Sequence, residues 1–521
     1  MSMRRKLIAL AALVLCCALL AGCMSTEGLK KVPQGARPES LNMAELEPKF
    51  PSDSSIKNQM MSLATDVKTA ADIDAQREKY NEFLHNAYIY IVGPYNFTGY
   101  LAADGRSITA YYESMVNHMN TFLSEWDVSA WTAISDSAWG AQLKSEYAKL
   151  KCTPDSIRNA YPTGSENTAS LIKTMYEARN ALAEALDGDW AQADAEGLLD
   201  DIFTTREAVA DSMQYASYLD FVAEKRDLLP YDMDSLLRLA QLVRENLVPA
   251  VRGAQQFGAP QLTAEQWQAA LPGLAERFPA YSGDLLYALE GGAYVVEEGQ
   301  ESRHFAYQLY QYDVSAGKAV ISGQDGDALQ VLRGQGLEAR NMALPESEWS
   351  MSALSAYDCV QEDAFAGRAL AELDAVYGAD ADAARQGLIN EMARQVCRGA
   401  MELELLVRLY DDPVMAQGER EQLAAELAAA YGFEGLTLDD IVRESDDVLL
   451  GGLNCAGRML GGLYGLAMAE LSMRDGQAAD EALAATLAVY NAGNPIAAGY
   501  SAGLDNPFSE QGVRNAAALV K

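Results

Sequence analysis

The sequence predicts an all-α, mostly helical protein of two lobes with one small antiparallel β element. Three observations carry that prediction. Apolar residues recur at steps of three and four through several long stretches. Only one region, at about residues 303–323, is aromatic and β-branched with period-two character. And 521 residues can bury a large core, most simply as two lobes.

The chain opens with Arg4, Arg5 and Lys6, followed by an apolar run from Leu7 to Leu20 that ends in Leu20-Ala21-Gly22-Cys23. The run is shorter than the roughly 20 residues a helix needs to cross a hydrocarbon core. It has the charge, apolar length and small residues of a cleaved export signal. The tetrapeptide resembles a bacterial lipobox, in which small residues admit the signal peptidase and the following thiol carries a diacylglycerol. Residues 1–22 are therefore expected to be removed. The remainder would be extracytoplasmic, held on a bacterial membrane by lipid on Cys23.

The formal net charge is −34, and losing three N-terminal cations would make it more negative. Such a surface repels phosphate backbones, which excludes nucleic acid as a partner. Beyond Cys23 the cysteines are Cys152, Cys359, Cys397 and Cys455, at spacings that match no CxxC or metal-knuckle pattern. An oxidising compartment permits a disulfide among them, while their helical surroundings suit buried free thiols; both readings stay open here.

Residues 23–54, with Pro33, Pro38 and Pro51 and no sustained periodicity, read as a tether. An N-terminal helical lobe is expected over 55–195 and a second helical domain over 196–521. Within the first, Ile108 to Trp126 places Ile108, Tyr111, Met115, Met119 and Phe122 on one face, and Ser165 to Leu186 behaves alike. Asp232 and Asp234 open a helix that repeats Leu236, Leu239, Val243 and Leu247, with Pro249 bending or ending it. Between Leu388 and Tyr410, residues Ile389, Met392, Val396, Leu403 and Leu406 line one face. Phe305 to Tyr312 and Lys318 to Ser322 read as strands closed by Gly323-Gln324-Asp325-Gly326-Asp327.

Several segments, in order, carry a further likeness: Arg206-Glu207-Ala208 through Tyr215–Phe221, Leu236 to Ala250, Leu289 to Glu298 with Gly291-Gly292-Ala293-Tyr294, Phe305 to Gly326, Ala393 to Glu404, and Leu504-Asp505-Asn506-Pro507. Together they resemble the oligoendopeptidase F and thimet-oligopeptidase family of zinc metallopeptidases, over roughly residues 165–521. The resemblance implies a deep cleft between the lobes, with the small sheet on its wall. It also implies a helix after the Gly-rich turn bearing His-Glu-x-x-His, where two imidazoles four residues apart reach one zinc and the glutamate works on the bound water.

The matching stretch here is Val331-Leu332-Arg333-Gly334-Gln335-Gly336-Leu337. Gly336 fits the family pattern, but Arg333 and Leu337 stand where the histidines belong and Gly334 replaces the glutamate. A guanidinium has no free lone pair and carries a fixed charge, so it repels a metal rather than binding it. The third ligand, a glutamate, falls near Ala356, with Glu362 close by. The family's oxyanion-holding His and Tyr are missing from Leu453–Gly461, and Tyr464 is a turn late. The chain has only three histidines, His85, His118 and His304, with no helical pair among them.

The expectation is thus a catalytically degenerate peptidase scaffold with no catalytic residues, no metal and no cofactor, which binds peptides or a protein partner. Its candidate cleft lining is Phe305, Tyr307, Tyr310, Tyr312 and Arg333. The arginine suits a peptide's C-terminal carboxylate, or else forms an ion pair with an acid such as Asp327. Two alternatives are an active zinc oligoendopeptidase with an unrecognised metal site and a structural cell-envelope lipoprotein.

Overall fold

The computed structural model describes residues 40–42, helical positions between 171 and 186, and residues 195–521 apart from 213, 224–228, 230, 256–259, 301, 310–313, 325, 344–355, 417 and 490–493. Cys23, most of the expected tether, the lobe over 55–195 up to residue 170, and the residues His85, His118, Cys152, Tyr310 and Tyr312 lie outside the described residues. Leu41, within the expected tether, is buried and packs against Gly291.

Helices dominate, as the periodicity predicts. α1 (Ala195–Ser212) is followed by α2 (Met233–Asn246) and α3 (Val248–Gly253). Asp232 caps α2 by accepting the Ser235 N–H at 2.8 Å. Pro249 falls in the first turn of α3, where its missing N–H costs nothing. α4 (Ala264–Ala275) begins with a reciprocal Thr263–Gln266 capping box, and α5 (Ser282–Glu290) leads into the sheet.

The sheet corrects the antiparallel expectation, because it is mixed. Strands β1 (Tyr294–Glu298), β2 (Arg303–Leu309) and β3 (Val314–Ile321) lie in the order β1-β3-β2. β3 runs antiparallel to β2, with Leu309 opposite Val314, and parallel to β1, with Tyr294 opposite Gly317. β1 is short and directly follows Gly291-Gly292, so its sequence reads as an approach to strands rather than as one. β3 is buried along nearly its whole length, as a central strand covered on both faces must be.

After the sheet come α6 (Asp327–Ala343), α7 (Ala356–Ala369), the long α8 (Ala381–Asp411), α9 (Glu419–Tyr431), α10 (Leu438–Glu444) and α11 (Asp446–Leu450). α12 (Asn454–Arg474), α13 (Gly476–Leu487), α14 (Pro495–Ser501) and α15 (Glu510–Leu519) complete the chain. No described helix is long and apolar enough to cross a membrane.

α12 is wedged between α7 and α8, and glycine makes the wedge fit. A Cβ on Gly461 would lie 2.7 Å from the Cys359 carbonyl, and one on Gly465 would lie 2.7 Å from the Asp363 carbonyl. Gly367 of α7 meets the Gly465 carbonyl more closely still. On the α8 side, a Cβ on Gly462 would lie 2.5 Å from the Val396 side chain, and one on Gly399 would lie 2.6 Å from the Cys455 carbonyl. The three described cysteines that follow Cys152, namely Cys359, Cys397 and Cys455, are free thiols.

Candidate functional site

The helix expected to carry the chemistry is α6, and the turn before it is built around one carboxylate. Asp327 accepts the N–H groups of Ser322 (3.0 Å), Gly323 (2.7 Å) and Gln324 (3.0 Å), and its Oδ1 takes the Ser302 hydroxyl as well. Gly323 and Gly326 sit at φ +77° and +97°, a region open to glycine, and so let the loop close over the helix N-terminus. Asp327 is therefore fully occupied, and it is not the partner of Arg333.

That partner is Asp363 on α7. Arg333 Nε donates to Asp363 Oδ1 at 2.7 Å, with the two side chains only 11% and 3% exposed. Burial works against the charge on Arg333, but the Asp363 charge and hydrogen bond, helped by Glu362, more than offset it and the guanidinium stays a cation. Burial also pushes Asp363 up, with Arg333 pulling in the opposite direction. Nη1 and Nη2 of Arg333 make no hydrogen bond to any described residue.

Beside this pair lies His304, from β2. Its Nε2 is 3.1 Å from Glu362 Oε2 and its Nδ1 is 2.7 Å from the amide oxygen of Gln330, one turn before Arg333. Both neighbours are acceptors, so both ring nitrogens can donate, an arrangement that favours the protonated imidazole. Burial pulls its pKa down and Arg333 adds to that, yet Glu362 and Gln330 together raise it above the ordinary value. Four charges thus alternate across the corner: His304, Glu362, Arg333 and Asp363. Glu362 Oε1 is buried without a hydrogen-bond partner among the described residues.

The other positions that the resemblance matches to the family's motif follow from the same geometry. Gly334 has no room for a side chain, since a Cβ there would lie 2.5 Å from the Tyr294 hydroxyl and 3.1 Å from the His304 Cβ. That hydroxyl is fixed by donating to the Val331 carbonyl at 2.9 Å. Leu337 is half-buried one turn after Arg333, and Gly336 packs on Phe365. Ala356 is the first residue of α7, while Glu362, farther along the same helix, is the carboxylate that reaches His304. Phe305 and Tyr307 are placed in β2 at register with Lys318 and Ala316.

Two more groups border the corner. Cys359 is surrounded by Glu362, Asp363 and Asp358, and burial followed by those charges raises its thiol far above the ordinary range, which favours the neutral thiol. On α12, Arg458 is bound to Glu402, which also holds Arg398, and lies 3.9 Å from Asp447. Tyr464 is buried with its hydroxyl 2.7 Å from that of Thr486 and is a packing residue.

The donor set does not fit zinc. At the positions the resemblance gives the two histidine ligands, Arg333 brings a fixed cation and Leu337 a hydrocarbon, while the one described imidazole and the nearby carboxylate satisfy each other. Among the described residues no group of three or more His, Cys, Asp or Glu side chains is arranged to hold a metal. Sequence reasoning picked out Arg333 and His304 but missed Asp363 and Gln330, whose spacing along their helices carries no motif.

No family model matches the chain, and no curated protein does. Solved structures do match. An X-ray structure assigned to oligoendopeptidase F aligns with a TM-score of 0.60 at 13% identity, over 92% of this chain and 98% of its own. A second one so assigned, from Bacillus anthracis, gives 0.60 at 12% over 92% and 97%. PZ peptidase A with an inhibitor gives 0.59 at 12% over 92% and 98%. At such identities the likeness is one of fold: this chain shares the fold of the solved structures assigned to oligoendopeptidase F.

Proposed function

We propose that the protein is an extracytoplasmic lipoprotein, anchored through Cys23, that uses a metallopeptidase scaffold to bind peptides without cleaving them. The observation that carries this reading is the ion pair of Arg333 with Asp363 at the position of a zinc ligand. A guanidinium and an imidazolium together supply the two positive charges that a metal would bring to Glu362 and Asp363, so those carboxylates are neutralised without one. Gly334 removes the carboxylate that would work on a metal-bound water, and Tyr294 fills its space. Peptide binding needs neither a metal nor that missing carboxylate. β2 lies at the edge of the sheet, and an extended peptide adds to such an edge by backbone hydrogen bonds.

The purified protein incubated with zinc is expected to cleave no member of a diverse peptide pool while retaining some of them by equilibrium dialysis. About one zinc per chain, with cleavage abolished by a chelator, would overturn the reading. For the anchor, Cys23→Ser is expected to shift the protein from the membrane fraction to the soluble one; unchanged fractionation refutes it.

A further inference from the structure

The charged corner next to β2 is more specific than a general peptide groove. Among the described residues, Arg333 is held by a single nitrogen. Its Nε is committed to Asp363, whose carboxylate sits in space that Gly461 leaves open, since a Cβ there would lie 2.7 Å from Oδ2. The two terminal nitrogens remain, forming a planar pair of donors that matches the two oxygens of a carboxylate. Neither makes a hydrogen bond to a described residue, and the side chain, 11% exposed, retains contact with solvent.

Glu362 presents the complementary group. One of its oxygens is taken by His304, while the other is buried and unmet among the described residues. A buried acceptor without a donor is uncommon, and one beside a donor fork that still has two nitrogens to give fits a group that arrives from outside the chain. The corner therefore offers a donor fork and an orphan acceptor side by side. Its own charges, His304 and Arg333 against Glu362 and Asp363, sum to zero. In a protein of net charge −34, it is a place where an incoming anion meets no local excess of like charge.

We propose that this corner receives the free C-terminal residue of a peptide. Arg333 takes the carboxylate and Glu362 accepts the amide N–H of the same residue. A terminal residue carries both groups on one Cα, whereas an internal or amidated residue lacks the anion. His304 belongs to β2, so a strand added to the edge of the sheet runs past the corner that would hold its end. The proposal rests on the peptide-binding reading above and narrows it to one class of ligand.

The test uses two pools of N-terminally labelled random pentapeptides, one with free C-terminal acids and one with C-terminal amides, titrated against the full-length protein by fluorescence anisotropy. Free acids are expected to bind on the order of tenfold tighter than amides, the range for a charge-assisted hydrogen bond. Arg333→Gln is expected to abolish the preference, and Arg333→Lys, which keeps the charge but loses the fork, to retain part of it. Because Arg333→Gln strands Asp363, the double variant Arg333→Gln/Asp363→Asn is measured beside it, with a thermal melt of each. Equal binding of acids and amides, or a preference that survives in folded Arg333→Gln or in the folded double variant, overturns the carboxylate proposal and leaves peptide binding standing. Binding by neither pool overturns both.

Discussion

Single residues at the corner carry the clearest predictions. His304 has its pKa raised in the folded protein by Glu362 and Gln330, with Arg333 and Asp363 as the other charges in range. A raised histidine contributes stability that is complete below its unfolded value, about 6.5, and is lost as pH rises through the folded value. Urea unfolding from pH 5.5 to 9 is therefore expected to show stability falling with pH, and the fall should flatten in His304→Gln. A second residue, Gln335, is fully buried, and neither of its side-chain amide atoms is hydrogen-bonded among the described residues. Gln335→Met is expected to stabilise the protein by about 1–2 kcal/mol, because the change removes a polar group that gains nothing from its burial; a lower melting temperature would refute this. At this scale the sequence was legible in part. Arg333 could be read as incompatible with a metal from its chemistry alone. Its partner could not be read, because Asp363 comes 30 residues later on another helix, and the acid close in sequence, Asp327, is consumed by its own turn.

Elements were read more successfully than their pairing. The helix begun by Asp232 and the apolar stripe of α8 follow directly from caps and periodicity. The direction of β1 did not, since whether a five-residue strand pairs parallel or antiparallel is decided by where the chain crosses over. The α7–α12 contact shows what periodicity misses. Gly461 and Gly465 lie one turn apart on α12 and face Cys359, Asp363 and Gly367 on α7, and in sequence they could equally belong to turns. Gly367→Ala is expected to cost about 3 kcal/mol, at the upper end for overpacking, because the obstruction is backbone and cannot rotate away. A chemical-denaturation midpoint within error of wild type would show that the two helices have slack.

Across the whole molecule, α1 is joined to distant parts of the chain by two buried arginines. Arg206 donates to the Val448 and Leu449 carbonyls at 2.6 and 2.8 Å and to the Tyr410 hydroxyl at 3.0 Å. Arg420 bridges Glu196 at 2.8 Å and Asp200. Arg206→Met is expected to lower stability by about 3 kcal/mol, since it leaves buried carbonyls unmet, while the steepness of urea unfolding stays unchanged. The glycine seam has a mechanical meaning at this scale. Where two helices touch backbone to backbone, no side chain is left to change rotamer and absorb a displacement, so they travel as one stiff beam. Whatever tugs on Asp363 at one point of that beam also moves the far end of α12, where Asp447 grips the Asn454 and Cys455 N–H groups at 2.7 and 2.8 Å.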